Sequence, residues 1–414
     1  MIRPLYSLLL LGVQPLLRRK LRRRGVAEPG YLEHVEERFG HYEGRAAPGR
    51  LWIHAVSLGE TRAAAILIDA LRKARPDVRL LLTHGTATGR AEGARLLRDG
   101  DAQAWLPWDT PRAVQAFLDH FRPAAGVLME TEVWPNMAAA CREQGVPLAL
   151  ANARLSEKSL NQALRLASLS RPAYAALRSV WAQTESDARR LAQAGATVQG
   201  VFGNLKFDAA PEVQLLERGR AWRSAQSRPV VMFASSREGE EGPFLEAVRA
   251  HPGVQWLLVP RHPQRFDEVA AMVAQAGFGV SRRSAWRDAP VDAPVWIGDS
   301  LGEMPLYYAM ADVALLGGSF APLGGQNLIE AAACGCPVVM GPHTFNFSEA
   351  AELSLGAGAA LRVDSMEEGV RAAVALARDP AARGAAVEAA ERFSAAHRGA
   401  AQRTADAVLA LLAR

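Results

Sequence analysis

From residue 51 onward, short unbroken apolar runs alternate with longer stretches in which apolar residues recur every three or four positions. The runs Leu51–Val56, Val78–Thr83, Gly126–Glu130, Pro147–Ala151 and Ser179–Gln183 read as buried strands, and the intervening Thr61–Ala74 and Arg112–Phe121 as helices. The segment DAAPE, Asp208–Glu212, interrupts the rhythm. It restarts with Val230–Ala234, Gln255–Pro260, Gly279–Ser281, Val295–Ile297, Val313–Leu316 and Pro337–Met340, and ends in an Ala-rich helical stretch, Pro380–Arg414. Strand–helix alternation of this kind builds parallel sheets covered by helices on both faces. The pattern therefore predicts an α/β protein of two Rossmann-like, doubly wound domains facing each other across a cleft. The first is expected over residues 26–209 and the second, with the terminal helices, over 210–414. In open sheets of this type ligands sit beyond the carboxyl ends of the strands, so the strand-end loops are where chemistry is expected.

Residues 1–25 depart from the pattern. Pro4–Leu17 is an apolar run of 14 residues centred on Leu8–Leu11, shorter than the roughly 20 residues of a spanning helix. A secretory signal carries its charge first and a small-residue cleavage site last. Here Arg18, Arg19, Lys20, Arg22, Arg23 and Arg24 follow the apolar run, and with Arg3 they make seven basic residues without one acid. The pattern predicts a membrane-associated helix over residues 1–25. Its apolar side chains would enter one leaflet while each basic residue gains roughly 1 kcal/mol from anionic headgroups. The plainer alternative is a domain-capping helix with a solvated basic end. No aromatic residues interleave with the arginines, which argues against a nucleic-acid partner.

Composition narrows the picture little further. The chain has 414 residues, 49% hydrophobic and 22% charged, as an ordinary folded protein of two domains does. Its net charge of +5 is concentrated in the N-terminal cluster. Cys141, Cys334 and Cys336 are odd in number and lack framework spacing, so they read as buried core residues in a reducing compartment.

The most informative stretch lies between Gly298 and Phe347: GDSLGEMPLYYAMADVALLGGSFAPLGGQNLIEAAACGCPVVMGPHTFNF. Glycine turns at Gly317-Gly318 and Gly324-Gly325 lead into a short helix opening near Gln326-Asn327. A helix N-terminus offers unpaired amides and a positive dipole end to a phosphate. Glu330, one turn inside, suits a sugar's hydroxyl groups. Phosphate on amides and ribose on an acid is the pattern of a nucleotide-sugar site.

Four further motifs sit at strand ends. His54-Ala-Val-Ser57-Leu-Gly59-Glu60 places a carboxylate in the first turn of a helix, either as a general base or as a helix cap. Met129-Glu130-Thr131-Glu132-Val-Trp134-Pro135-Asn136 carries two carboxylates, which hold an acceptor, fix Glu60 or a cation, or pair with Arg154 of Ala151-Asn152-Ala153-Arg154. Gly203-Asn204-Leu205-Lys206-Phe207-Asp208 offers a lysine at the domain junction, for a donor's negative charge or merely for solvent. In the second domain, Ala234-Ser235-Ser236-Arg237-Glu238-Gly239-Glu240 and Val259-Pro260-Arg261-His262-Pro263 carry donors suited to phosphate and base. HExxH, GxxxxGK[ST] and GxSxG are all absent, which favours group transfer without a metal or cofactor.

In this order, HAVSLGE, METEVWPN, ANARLSEKS, GNLKFD, VPRHPQRF, GDSLGEM, GGSFAPLGGQNLIEAAA and MGPHTFNF resemble the 3-deoxy-D-manno-octulosonic acid (Kdo) transferase family of lipopolysaccharide biosynthesis. The resemblance implies a GT-B glycosyltransferase on the cytoplasmic face of the inner membrane, with CMP-Kdo as donor and a lipid A precursor as acceptor. It implies Glu60 as the general base, and Glu130 and Lys206 as stabilisers of the transition state. It assigns Arg261, His262, Gly302, Glu303, Met304, Asn327, Leu328, Ile329 and Glu330 to CMP. Ser57, Gly59, Ser235, Ser236, Gly318 and Ser319 stand as additional substrate contacts. Two other readings are a GT-B transferase or epimerase using a UDP-sugar, and a non-catalytic lipid or nucleotide binder on the same scaffold.

Overall fold

A computed structural model describes residues 2–44 and 48–413. Met1 and Arg414, the end points of the expected anchor and second domain, lie outside the described residues. The chain divides after Asp208 into two compact units, residues 1–208 with 398–414, and residues 209–397.

The first unit holds a seven-stranded sheet: β1 Leu51–His54, β2 Leu80–His84, β3 Ala102–Trp105, β4 Ala125–Met129, β5 Leu148–Ala153, β6 Ser179–Ala182 and β7 Val198–Val201. Every pairing is parallel and the order is β3-β2-β1-β4-β5-β6-β7. The central strands are buried and largely apolar, with polar residues only toward their carboxyl ends, because helices cover both faces. One face packs Leu51, Ile53, Leu67, Ile68, Leu71 and Val127 together; the other packs Trp52, Phe117, Leu128 and Leu150. Order reversal between β1 and β4 makes their carboxyl ends the switch point of this sheet.

The second unit has its own parallel sheet: β8 Val230–Ser236, β9 Gln255–Pro260, β10 Val280–Arg282, β11 Val295–Ile297, β12 Val313–Leu316, β13 Val338–Met340 and β14 Ala360–Arg362. The order is β10-β11-β9-β8-β12-β13-β14, with the switch point between β8 and β12. The three strands absent from the sequence reading, β3, β7 and β14, all lie at sheet edges. There a strand faces solvent in part, and β7 alternates half-buried with exposed residues instead of forming an apolar run.

Five helices of the first unit frame its switch point and its outer flank. They are α1 Ile2–Ala27, α2 Leu58–Ala74, α3 Ala87–Ala94, α4 Pro111–Phe121 and α5 Pro135–Glu143. Proline occupies the first position of α4 and α5, where its missing N–H has no intrahelical partner to lose. The inner side of α1 is fastened by side chains: the Tyr6 hydroxyl donates to Asp109 at 3.1 Å, and Asn136 donates to Ser7 Oγ at 3.0 Å.

The expectation that the second domain runs to the C-terminus is corrected. The terminal stretch is two helices, Pro380–Ala396 and Ala400–Leu412, broken at Gly399 (φ +96°). The second of them returns to the first unit, where Ala405, Val408 and Leu411 join the core beside α2. The Asp208 carboxylate accepts from Gly399 N at 2.5 Å and from Ala401 N at 2.7 Å, so the exit and re-entry of the chain are pinned side by side.

Candidate active site

At the switch point of the first sheet, the loop after β1 leads into α2 through a reciprocal cap. Ser57 Oγ accepts from the Glu60 amide at 3.4 Å and donates to Glu60 Oε1 at 3.1 Å, while Val56 N donates to Glu60 Oε2 at 2.9 Å. Glu60 therefore does cap its helix, as one of the two sequence readings held. The same position perturbs it strongly. Burial first, and then the nearby Glu130 and Glu132 carboxylates, push it up to about 7, against the restraint of the Val56 N–H and the Ser57 hydroxyl. A carboxyl poised near neutrality at a strand-end loop can exchange a proton with a substrate. Gly59, exposed in the first turn of α2, leaves the approach to this loop open.

The loop after β4 supplies the opposing charges. Glu130 adopts φ +59°, rare for a residue with a Cβ, and is 3% exposed. Its carboxylate takes Arg154 Nε at 2.8 Å and Lys206 Nζ at 3.4 Å. The structural pairing with Arg154 and the placement of Lys206 at the same carboxylate thus occur together. The turn that carries Lys206 is tied to β5 through Asn152, to which sequence reasoning gave no role. Asn152 has φ +51°, is 2% exposed, and accepts from Leu205 N at 3.0 Å. Left-handed backbone at both Glu130 and Asn152 marks the carboxyl edge of this sheet as a place where strain is held by its surroundings. Burial also raises the Glu132 carboxyl.

In the second unit, loops after β8, β9, β12 and β13 gather at the switch point. Gly325 N donates to Gly318 O at 2.7 Å, folding the glycine turns onto each other, and Arg261 Nε donates to Gln326 Oε1 at 3.1 Å. Gly317 tolerates no side chain, since a Cβ there would stand 2.1 Å from the Ser235 carbonyl oxygen. Ser235, half-buried, is itself left-handed at φ +56°. His262 follows β9, its imidazole pulled down by burial and by the Arg237 and Arg261 charges. Gly302 lies in the loop after β11, the neighbour of β9, and Met304 opens the helix Met304–Met310 that follows it. Glu303 in that loop accepts from Arg283 at 2.7 Å and from the Ser300 hydroxyl.

Four of the residues expected at the substrate turn their side chains inward. Ser236 is 1% exposed and donates to Glu241 at 2.9 Å. Ser319 is fully buried, donates to Leu316 O and accepts from Gly341 N at 2.8 Å. Leu328 and Ile329 put their side chains in the core, and the Ile329 amide is capped by Asn327 Oδ1 at 3.2 Å. These groups satisfy one another and shape the loop from beneath. Glu330 stays half-buried in the first turn of the helix Leu328–Ala333. Glu240 does what the sequence did not announce. It is 2% exposed, and its carboxylate accepts from Arg237 N at 2.9 Å, Gly318 N at 2.8 Å, Phe320 N at 3.1 Å and Ala321 N at 3.2 Å, tying the β8 loop to the glycine loop. Only its place in a strand-end loop could have flagged it.

Comparison with known proteins accounts for this arrangement. The family profile described as 3-deoxy-D-manno-octulosonic-acid transferase (kdotransferase) matches residues 33–209. The 3-deoxy-D-manno-octulosonic acid transferase of Bordetella pertussis is 51% identical, covering 98% of both chains, and that of Haemophilus influenzae is 32% identical, covering 89% of both. Among solved structures, UDP-GlcNAc 2-epimerase from Neisseria meningitidis aligns with a TM-score of 0.57 at 15% identity, over 88% of this chain and 99% of that one. A glycosyltransferase from Rickettsia africae aligns with a TM-score of 0.57 at 12% identity, over 88% and 99%. These structural likenesses establish the fold, that of GT-B glycosyltransferases, and the sequence relatives establish more: the chain belongs to the 3-deoxy-D-manno-octulosonic acid transferase family, and is a glycosyltransferase.

Proposed function

We propose that this enzyme transfers Kdo from CMP-Kdo to a hydroxyl of a lipid A precursor such as lipid IVA, with Glu60 as general base and without a metal. The observation that carries the reading is the Glu60 carboxyl, pushed up to about 7 at the carboxyl edge of β1 and β4. In the step itself the acceptor oxygen bonds to the anomeric carbon of Kdo, and the bond from that carbon to the CMP phosphate oxygen breaks. The acceptor's proton passes to Glu60, and configuration inverts because attack and departure occur on opposite faces. Glu130, paired with Lys206 and Arg154, raises the proton affinity of Glu60, and the role assigned to Lys206 is to offset the developing negative charge. On the donor side, Arg261, His262 and the loops at Gly302–Met304 and Gly318–Glu330 receive CMP.

The acceptor is a lipid, and α1 supports docking at the cytoplasmic face of the inner membrane. Leu5, Leu8, Leu9 and Leu16 lie on one side of this helix and are 62–70% exposed. Farther along α1, Arg19, Lys20, Arg23 and Arg24 line a shallow cavity of about 630 Å³ with Leu16 and Ala27, suited to anionic headgroups. No helix among the described residues is long and apolar enough to cross a membrane.

The test is turnover by the purified enzyme with CMP-Kdo and lipid IVA, followed by mass spectrometry of the lipid product. Wild type is expected to release CMP and add Kdo. Glu60→Gln is expected to lose about 10²–10⁴-fold in kcat while still binding CMP. Preference for UDP-sugars over CMP-Kdo would overturn the donor assignment, and full activity in Glu60→Gln would remove Glu60 as base.

A further inference from the structure

Beneath the Glu60 loop lies a histidine that the transfer step does not use. His84 ends β2 and is 1% exposed. Its Nδ1 stands 3.0 Å from the carbonyl oxygen of Ala55 and 3.3 Å from Thr61 Oγ1, whose own hydroxyl donates to Ser57 O at 2.9 Å. A carbonyl can only accept, so chemistry assigns the proton to Nδ1. The opposite nitrogen, Nε2, is buried without a partner, and a Cβ placed on Gly93 would lie 2.3 Å from it. Burial first, and then Arg90, bring the ring down to about 4, so it stays neutral through the physiological range.

The Ala55 carbonyl and the Val56 N–H belong to one peptide plane. One end of that plane accepts from His84 and the other donates to Glu60 Oε2 at 2.9 Å. A planar amide held at both ends cannot rotate without breaking one of the bonds, and each bond polarises the other. On the far side of Val56, its carbonyl accepts from Gly85 N at 3.0 Å and Thr86 N at 2.9 Å.

We propose that His84 is a positioning residue for the base: by donating to the Ala55 carbonyl it orients the amide that holds the Glu60 carboxylate in place. The proposal rests on the reading of Glu60 as base. The groups facing Glu60 are the Val56 amide and Ser57 hydroxyl of its own loop, and Glu130 and Glu132 from the loop after β4, with Glu130 in turn paired to Arg154 and Lys206. His84 itself faces Ala55, Thr61, the buried His54 of β1 and the Arg90 charge. Of all these, the Val56 N–H is the strongest influence holding the Glu60 proton affinity down. Freed from His84, that peptide turns, and Glu60 must be deprotonated at higher pH.

The experiment compares kcat/KM against pH for wild type, His84→Ala and His84→Asn. The Asn amide nitrogen reaches about the same point as the imidazole Nδ1. In His84→Ala the acid limb is expected to move up by roughly one pH unit, because a hydrogen bond to a charged group is lost, with rates converging toward wild type above the limb. His84→Asn is expected to restore the wild-type profile. A His84→Ala limb that superimposes on wild type overturns the proposal, and so does a His84→Asn profile no better than that of Ala. Should the alanine variant fail to fold, ¹⁵N NMR of histidine-labelled wild type still decides: the His84 ring must carry its proton on Nδ1 and remain neutral to pH 5, and a proton on Nε2 overturns the proposal. Glu60→Gln separates the two readings. Lost turnover there with an unmoved His84→Ala limb removes only the positioning role, whereas full turnover in Glu60→Gln removes the base and this inference with it.

Discussion

Glu60 caps α2, and in the proposed mechanism it also exchanges a proton, two demands that leave a measurable conflict. Its carboxyl stands at about 7, above the ordinary 4.5, so between those values the native chain holds a proton that the unfolded chain has lost. Native stability then falls as pH rises through that window. Glu60→Gln keeps an acceptor for Val56 N and a donor for Ser57 while removing the charge. Its Tm is expected to exceed that of wild type at pH 8 and to match it below pH 4.5 in thermal scans, even as activity is lost. Wild-type kcat/KM is expected to fall tenfold per unit below about pH 7, since only the carboxylate can take the acceptor's proton. On the donor side, Glu240 accepts only from N–H groups, so Glu240→Gln turns an NH₂ toward buried amides. Each unmet buried donor costs about 1–3 kcal/mol, and the loop bearing Gly318 is expected to loosen. Steady-state kinetics should show KM for CMP-Kdo raised about tenfold or more, with a smaller change in kcat. The place of Glu60 in a strand-end helix cap was legible from its motif. The role of Glu240 was not, because three of its four partners lie 78 to 81 residues away.

Among the elements, α1 has an inner face packed on the first unit and an outer face of exposed leucines, the one proposed to meet the membrane. The inner one is fastened to the first unit by Tyr6 on Asp109 and Asn136 on Ser7, with exposed ion pairs of Arg3 to Glu143 and Arg18 to Glu36 beside them. Asp109 also accepts from the Asn136 and Met137 amides, so α1 and the start of α5 share a buried carboxylate, which burial raises to about 6. Tyr6→Phe combined with Ser7→Ala is expected to lower stability by about 1–3 kcal/mol in denaturant titrations and to leave vesicle binding intact. Leu8→Glu with Leu9→Glu, on the exposed face, is expected to abolish sedimentation with phosphatidylglycerol vesicles at unchanged Tm. The capping reading of residues 1–25 describes the inner side of this helix, and the membrane reading, tested by the vesicle experiment, concerns the outer one. The strands show the same dependence on surroundings: central ones announce themselves as apolar runs, whereas edge strands β3, β7 and β14 do not.

For the whole molecule, the chain's last turn through space is consequential. Ala400, Ala405, Val408 and Leu411 belong to the core of the first unit, although some 190 residues of the second separate them from Asp208. Residues 209–397, expressed alone, are expected to fold cooperatively, since their contacts are internal. Residues 1–208 alone are expected to show weak, non-cooperative unfolding and to bind a hydrophobic dye. Addition of a 398–414 peptide should restore a sharp transition by circular dichroism. A sharp transition in 1–208 without the peptide would mean that the terminal helix is dispensable to that core.

By itself, the amino-acid sequence determined the class of fold, the central strands and the loops that carry chemistry. These are local properties: a strand buried on both faces must be apolar, and a strand-end motif keeps its residues within a few positions of one another. The tertiary structure alone decided which polar groups remain available. Ser236, Ser319 and the Ile329 amide satisfy internal partners, Glu240 knits two distant loops, and the terminal helix returns to the first unit. A buried donor or acceptor must be matched, and its match is set by packing between residues far apart in the chain.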